Sequence, residues 1–329
     1  MDHQYLIIGA DLDGESILEA LSALIINESK TRLRRLIAEG HVELNQNRVS
    51  TRTRVQEGDR IMVPGDLDLG PPPEQQMELK VLREDARHVV INKPAGVPVL
   101  PTRDGGEREF YDSLKAYVNR NAPPGGPYLR PHLVHRLDRD TSGVLLVAKT
   151  TAASRDLSLQ FQNRQVSKTY RGLVEGVLPR EEVTVNVPLS RSSNSILSMV
   201  PDEKSGKEAR TRVVMERRYG HFCLLRLEPR TGRQHQLRVH LSAIGYPLAV
   251  DFLYGRREKL TGRDLNRILG RRVVGPQRVL LERCPLHAAG LRYRPPGSEG
   301  EQEEVTAPLP EDIEQVMDLL ERVDAREGA

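Results

Sequence analysis

The first helical pattern of the chain lies between residues 17 and 25, where apolar residues recur every three to four positions. A second pattern of the same period begins near Thr31 and ends at Gly40, the expected C-terminal cap. Alternating apolar and polar residues follow, with a turn at 45–47. Together these features predict a small compact unit over residues 13–63. The apolar residues expected to face its interior are Ile17, Leu18, Leu21, Leu24, Ile25, Leu33, Leu36 and Ile37.

Beyond residue 77 the apolar segments are short and are separated by irregular connections, as in strands of an antiparallel sheet. Strands and helices do not alternate regularly, so a doubly wound parallel sheet is not expected. The pattern predicts the α+β class, with a mixed and largely antiparallel sheet. The predicted strands include residues 89–91, 143–148, 170–174 and 222–227.

These patterns divide the chain into four predicted parts. The unit at 13–63 is followed by residues 64–77, where three prolines in a row favour an extended linker. The larger α+β domain is expected to span residues 78–296. Residues 297–329 are rich in acidic side chains and are predicted to be a C-terminal tail.

Charge is unevenly distributed, although the net charge is only +3. The segment from Glu299 onward carries eleven acidic and two basic residues, so the first 298 residues carry a net charge of +12. A basic body suits a polyanionic partner, while an excess of charge also aids solubility. The densest basic cluster lies in the first unit, where it forms either a binding surface or a solvated helix face. The candidates for binding a polyanion in this cluster are Lys30, Arg32, Arg34, Arg35, Arg52 and Arg54.

Several classes of protein are disfavoured by composition. Cys223 and Cys284 are the only cysteines, so neither a disulfide framework nor a thiolate metal site is expected. No stretch approaches the ~18 apolar residues that span a membrane, and the N-terminus lacks a signal-peptide pattern. The chain also lacks nucleotide-binding glycine loops and metal-ligand clusters, and no cofactor is expected. A reducing cytoplasm is the expected setting.

The candidate catalytic group is Asp138, which lies between Arg136 and Arg139 and just before the apolar run that begins at Val144. Nearby guanidinium groups favour the ionised form of a carboxylate, and arginine itself stays charged. Such an anion in a positively charged surrounding suits a nucleophile or base that acts on a polyanionic substrate. The alternative is a surface salt-bridge patch, which contributes only about 0–1 kcal/mol.

Two stretches of the chain resemble known families. Residues 30–45 and 55–61 are similar to an S-four-type RNA-binding module, a small α/β domain. Six segments between residues 78 and 294 resemble, in order, the motifs of RluA-type pseudouridine synthases. These segments are residues 92–99, 135–143, 168–170, 231–241, 251–255 and 286–288.

The resemblance implies an isomerase that converts uridine to pseudouridine in RNA without a redox cofactor or a metal. Asp138 matches the catalytic aspartate of the family, either as a nucleophile or as the base that removes a sugar proton. Arg238 matches the basic residue that pairs with it, and Tyr170 matches the aromatic residue that stacks on the target base. Arg136 matches the position that fills the space left by the flipped base.

The residues themselves leave other interpretations open for this set. The alternative interpretation of Tyr170 is an ordinary core residue of a strand, and that of Arg238 is an ordinary surface arginine. The apolar spacing predicts a helix that begins near Thr231, on which His235 and Arg238 share a face. His235 and His240 are five residues apart, a poor spacing for two metal ligands on one helix.

Rival functions are also considered. The run around Asp138 differs from a kinase catalytic loop, because Gly143 stands where that loop has asparagine and no glycine-rich loop precedes a lysine-bearing strand. A non-catalytic RNA-binding or ribosome-assembly protein would need only the basic unit. For a pseudouridine synthase, large-subunit ribosomal RNA is the favoured target and transfer RNA the alternative. The arginine-rich stretch 256–283 is either part of the RNA surface or a solvated insertion, and a monomer is expected.

Overall fold

The computed structural model describes residues 3–70, 73–101, 107–122, 128–193 and 198–325. Pro71 and Pro72 of the predicted linker, and residues 326–329 of the predicted tail, lie outside the described residues. Within these ranges, no helix combines the length and the apolar character needed to cross a membrane.

The N-terminal residues form a four-stranded antiparallel sheet that packs against two helices. Both predicted helices are present, and each begins at a serine whose side chain accepts a hydrogen bond from the first turn: Ser16 from Glu19 N and Ser29 from Arg32 N. The strand that precedes residue 13 was not predicted; it pairs with the last strand of the sheet. The elements are β1 (His3–Ile7), α1 (Ile17–Leu24), α2 (Lys30–Ala38), β2 (Glu43–Leu44), β3 (Asn47–Arg48) and β4 (Arg60–Pro64).

The rest of the chain builds a large sheet, two small two-stranded sheets and five helices in the parts that the structure describes. The strands of the large sheet are β5 (Lys80–Glu84), β6 (His88–Lys93), β7 (His132–Leu133), β8 (Ser142–Ala148), β9 (Ser167–Glu175), β10 (Glu182–Asn186), β13 (Arg210–Tyr219), β14 (Phe222–Pro229), β17 (Leu286–Tyr293) and β18 (Glu303–Thr306). The two-stranded sheets are β11 (Leu189–Arg191) with β12 (Met199–Pro201), and β15 (Leu260–Thr261) with β16 (Val279–Leu281). The helices are α3 (Glu109–Val118), α4 (Thr151–Gln162), α5 (Gln236–Ala243), α6 (Gly262–Ile268) and α7 (Glu311–Ala325).

The large sheet has the order β10-β13-β14-β9-β17-β8-β6-β5, with β7 added beside β8 and β18 beside β17. Among the described strands only β8 and β17 pair in parallel. The prediction of an α+β fold with a mixed, largely antiparallel sheet is therefore confirmed. The four predicted strands lie within β6, β8, β9 and β14.

The loop of Asp138 leads directly into β8, which pairs in parallel with β17 near the centre of the sheet. All seven residues of β8 are buried, which explains the apolar run after the charged segment. At the start of β8, Gly143 has φ +111°, and a Cβ atom there would lie 2.2 Å from the carbonyl oxygen of Ala288 on β17. Only glycine allows this close approach of the two backbones.

The acidic C-terminal segment is part of this fold up to the end of α7. β18 extends the sheet beside β17, and α7 buries Val316 and Leu320 in a core cluster with Tyr219 and Phe222. Arg283 binds Asp312 of α7 through two hydrogen bonds of 2.7 Å each. The fold therefore continues beyond residue 296, where the sequence had placed the start of a tail.

Candidate active site

A cleft of about 550 Å³ opens beside the loop that precedes β8. It brings together the four residues that the sequence placed at the active site: Arg136, Asp138, Tyr170 and Arg238. They come from three separate segments: the loop before β8, strand β9 and helix α5. Among the described residues that line the cleft, Asp138 is the only carboxylate.

The carboxylate of Asp138 lies between two side-chain nitrogens, and its side chain is 21% exposed. Arg238 Nη1 is 3.8 Å from Oδ2, and His235 Nε2 is 3.9 Å from Oδ1. The loop is closed by a hydrogen bond of 3.1 Å from Thr141 N to the carbonyl of Asp138. The neighbouring Arg139 instead binds the carbonyl of Gly96 and the carboxylate of Glu107. Of the two flanking arginines, only Arg136 therefore lines the cleft.

Arg238 is held by a second carboxylate that the sequence analysis did not assign to the site. Its Nε and Nη2 atoms donate to Asp251 at 2.7 Å each, so Nη1 remains directed toward Asp138. Burial alone would raise the pKa of Asp251, but the hydrogen bonds and charge of Arg238, with the backbone N–H groups of Leu253 and Tyr254, hold it below its usual value. Asp251 is the first residue of segment 251–255. The resemblance of that segment to a family motif was the only indication in the sequence that Asp251 belongs to the site.

The helix that carries Arg238 begins at Gln236, five residues later than predicted. The buried side chain of Gln236 accepts hydrogen bonds from Thr231 Oγ1 at 2.7 Å and from Arg233 N at 3.0 Å. These bonds fold residues 231–235 into a turn that ends at His235, whose φ of 53° is left-handed. His235 and Arg238 nevertheless both reach the cleft.

Tyr170 lies in β9, where it is partly buried among the apolar side chains of two core clusters. Burial raises the pKa of its phenol, and the negative charge of Asp138 raises it further, so the hydroxyl stays protonated at physiological pH. The side chain also lines the cleft. Its position is thus compatible both with a core role and with stacking on a base.

Two lysines contribute to the cleft: one holds the loop of Asp138 in place, and the other lines the cleft itself. Lys93 is fully buried and donates to the carbonyls of Pro94, Val97 and Arg139, which joins the 92–99 segment to the loop of Asp138. Burial lowers its pKa to about 7, against the opposing effect of Asp140 and Asp138. Lys168 lines the cleft, and burial lowers its pKa to about 8.

The rim of the cleft is positively charged. Arg136 and Arg164 are exposed, while Arg233 is half-buried. With Lys168 and Arg238 they place five basic side chains around one carboxylate. Among the described residues, no group of three or more histidine, cysteine or acidic side chains could hold a metal ion. The concentration of basic side chains in the cleft suits a polyanion.

The six basic residues predicted to bind RNA lie outside this cleft, on and around α2. Four of them already have protein partners: Lys30 pairs with Glu19, Arg32 with Glu28 and Asp66, Arg35 with Glu39, and Arg54 with the carbonyl of Gly14. Arg34 and Arg52 are exposed and have no ion pair within the described part of the chain. They are the members of the set that remain available to an external phosphate.

The N-terminal unit contacts the larger domain through side chains that the sequence did not single out. Arg130 donates to the carbonyls of Ile26 and Glu28, and Arg155 pairs with Glu15.

In the arginine-rich stretch 256–283, Arg256 and Arg257 both pair with Glu175. These two arginines therefore neutralise a protein carboxylate.

Comparisons with known proteins find relatives that cover most of this chain. A family model described as RNA pseudouridylate synthase matches residues 87–243, and an S4 domain model matches residues 19–61. The chain is 33% identical over 298 residues to "Uncharacterized RNA pseudouridine synthase YlyB" of Bacillus subtilis, covering 89% of this chain and 90% of the relative. It is 33% identical over 328 residues to "Ribosomal large subunit pseudouridine synthase C" of Escherichia coli, covering 95% of each. Among solved structures, "Human RNA Pseudouridylate Synthase Domain Containing 4" is 26% identical with a TM-score of 0.56, covering 74% of this chain and 93% of that one.

Proposed function

Because this chain belongs to the RNA pseudouridine synthase family and is an isomerase that converts uridine to pseudouridine in RNA, we propose that it modifies specific uridines of large-subunit ribosomal RNA and that Asp138 is its catalytic group. The observation that carries the second part is the position of Asp138 as the one carboxylate lining a basic cleft, within the described residues, 3.8 Å from a buried arginine.

The reaction breaks the bond between N1 of uracil and C1′ of ribose and forms a bond between C5 and C1′. A proton leaves C5 and a proton reaches N1, so the isomerisation is balanced without an oxidant or reductant. Asp138 supplies an oxygen either to form a transient bond with the substrate or to remove a proton from the sugar. Arg238 stabilises the negative charge of this carboxylate in the resting enzyme.

The target base must leave its stack before it reaches Asp138, at a cost of a few kcal/mol. The ring of Tyr170 offers a stacking surface beside Asp138, and base–aromatic stacking contributes about 1–3 kcal/mol. Arg136 is exposed at the cleft, where its flat guanidinium group can occupy the space that the base leaves. The two contributions together offset much of the cost of flipping.

The choice of ribosomal RNA rests on the relatives and on the N-terminal unit. Several relatives that cover 95% of the chain carry the name ribosomal large subunit pseudouridine synthase C. The structure extends the N-terminal unit beyond the predicted 13–63, from β1 to Leu67 and Leu69, which pack in its core. In this proposal that unit binds RNA through the exposed arginines of α2 and its surroundings, the residues that follow it up to 77 link the two units, and the domain that starts at residue 78 carries out catalysis.

The test is pseudouridine mapping on large-subunit ribosomal RNA and on transfer RNA after incubation with the purified protein. The wild-type protein is expected to modify ribosomal RNA, Asp138→Asn is expected to form no pseudouridine while it still binds RNA, and Glu107→Gln is the control. Glu107 pairs with Arg139 of the same loop, so its loss removes a nearby charge without changing Asp138. Turnover by Asp138→Asn at the wild-type rate would contradict the catalytic role, and modification of transfer RNA alone would contradict the substrate.

A further inference from the structure

His235 has two ring nitrogens with different surroundings. Nδ1 lies 2.8 Å from the hydroxyl oxygen of Tyr254, within hydrogen-bond distance. Nε2 faces the cleft, 3.9 Å from Oδ1 of Asp138. The side chain is only 12% exposed, so both nitrogens are largely shielded from bulk water.

The hydroxyl of Tyr254 has a second partner besides His235, and its own proton remains available to Nδ1. The backbone N–H of Met199 donates to the hydroxyl oxygen of Tyr254 at 2.8 Å. The hydroxyl can then satisfy its own proton by donating to Nδ1 of His235, since a hydroxyl has one donor and two acceptor sites. A ring nitrogen that accepts carries no proton, so the proton of the neutral ring lies on Nε2.

The charged groups around the ring also favour the neutral form. Burial and the positive charges of Arg238 and Arg136 lower the pKa of His235, while Asp138 and Asp251 oppose this shift. Burial raises the pKa of Tyr254, which stays a protonated phenol and remains able to donate. The net result is a lowered pKa for His235, which favours the neutral ring.

The backbone of His235 is held in a conformation that side chains other than glycine rarely adopt. Its φ and ψ are 53° and 16°, and it stands at the N-cap position of α5 without making a side-chain cap. A strained residue of this kind costs on the order of 1–3 kcal/mol and persists only where the surrounding structure enforces it. An ordinary capping residue would point its side chain at the helix end, whereas this one lines the cleft.

We propose that His235 is a positioning residue for Asp138: Tyr254 fixes its tautomer, and Nε2–H is directed toward Oδ1 at 3.9 Å while Nη1 of Arg238 faces Oδ2 at 3.8 Å. The two donors fix the rotation of the carboxylate plane from opposite sides. Since one of them is neutral, the carboxylate keeps more of its nucleophilicity and basicity than it would between two cations. The inference rests on the proposed catalytic role of Asp138.

Three variants separate this role from simple packing. His235→Phe keeps a ring and removes the donor, His235→Gln keeps a neutral N–H donor, and Tyr254→Phe removes only the hydroxyl that fixes the tautomer. The readouts are the single-turnover rate at saturating enzyme and the Kd for RNA, from about pH 6 to 8 where an unconstrained histidine titrates. The His235→Phe rate is expected to fall about 10–100-fold with little change in Kd, as for loss of orientation at a reacting group.

The other two variants give opposite expectations. His235→Gln is expected to recover part of the rate, because its amide can still donate to Asp138. Tyr254→Phe is expected to lower the rate and to add a loss of activity on the acidic side, because Nδ1 is then free to take a proton. A wild-type rate in His235→Phe, or equal losses in His235→Gln and His235→Phe, would overturn the proposal.

A measurement on the unmodified protein does not depend on the folding of any variant. Long-range ¹H–¹⁵N correlation spectra of histidine-labelled protein report the tautomer, with His235 assigned by the signal that disappears in His235→Gln. A neutral ring with its proton on Nε2 at neutral pH is expected, and a proton on Nδ1 or a doubly protonated ring would refute the proposal. If Asp138→Asn is inactive and His235→Phe is not impaired, only this inference fails; if Asp138→Asn keeps wild-type turnover, the proposed function itself fails.

Discussion

Arg238 and Asp251 form a buried bidentate ion pair that sets the geometry of the active site. Their two N–O distances are both 2.7 Å, and the two side chains are 5% and 1% exposed. Because Asp251 occupies Nε and Nη2, the remaining Nη1 has one direction left, toward Asp138 at 3.8 Å. The position of the proposed catalytic group thus depends on a residue 113 positions further along the chain.

We expect Asp251→Asn to lower both activity and stability. Replacing Asp251 leaves the charged Arg238 buried without a partner of opposite charge, and the loss of one partner costs about 3–5 kcal/mol in comparable buried pairs. Urea unfolding measures the stability, and single-turnover assays under folding conditions measure the rate. Because the pKa of Asp251 is lowered in the folded protein, the stability that its ionisation contributes is present above its unfolded pKa and is lost as the pH falls through the folded value. The variant should show a weaker loss of stability on acidification; an acid sensitivity equal to that of the wild type would contradict this account.

The sequence predicted four strands of the large sheet and four of the residues that line the cleft, but not how these residues are held in place. The apolar run after Asp138 indicates a buried strand because every position of β8 faces other protein atoms. The ion pair of Arg238 with Asp251 could not be predicted from the sequence, because the two residues are 13 positions apart and meet only through the turn that follows α5. The left-handed conformation of His235 likewise depends on hydrogen bonds made by Gln236 rather than on local propensity.

In the acidic C-terminal segment, the excess of charge drew attention away from the helical spacing of the apolar residues. Its apolar residues Ile313, Val316, Leu320 and Val323 recur at helical spacing and are all buried in α7. The excess of negative charge favoured the prediction of a tail, although the same residues read as an amphipathic helix. The charged residues lie on the exposed face of such a helix, so charge alone does not predict whether its other face packs against the protein.

Tyr170→Phe is expected to keep most of the activity, whereas Tyr170→Ala is expected to lose about tenfold or more. The hydroxyl stays protonated because burial and Asp138 raise its pKa, so a role as a phenolate base is not expected. Loss of the ring removes a stacking contribution of about 1–3 kcal/mol. Tyr170→Leu is the control for packing, since it fills part of the core without offering a flat ring. Equal losses of single-turnover rate in the Phe and Ala variants would instead indicate a role for the hydroxyl.

Gly143→Ala is expected to destabilise the protein severely. The new Cβ atom would lie 2.2 Å from the carbonyl oxygen of Ala288, and the positive φ of 111° adds strain of about 1–3 kcal/mol to the clash. Gly14→Ala is the matched control, because Gly14 also has a positive φ of 72° but no atom within 4 Å of the added Cβ. Urea unfolding of both variants should show a clearly larger loss for Gly143→Ala, and similar losses would mean that the strands can separate at little cost.

Arg34→Gln and Arg52→Gln are each expected to weaken RNA binding and to reduce its salt dependence. Both side chains are exposed without an ion pair among the described residues, so each is free to displace counterions from the RNA. The slope of log K against log salt concentration should fall by about 1 for each phosphate contact that is lost. Arg32→Gln is the control: Arg32 already pairs with Glu28 and Asp66, and its charge is partly neutralised before RNA arrives. Affinity measured by filter binding over a range of salt concentrations should therefore change more for Arg34 and Arg52 than for Arg32, and the opposite order would show that the RNA approaches the face of α2 that Arg32 occupies.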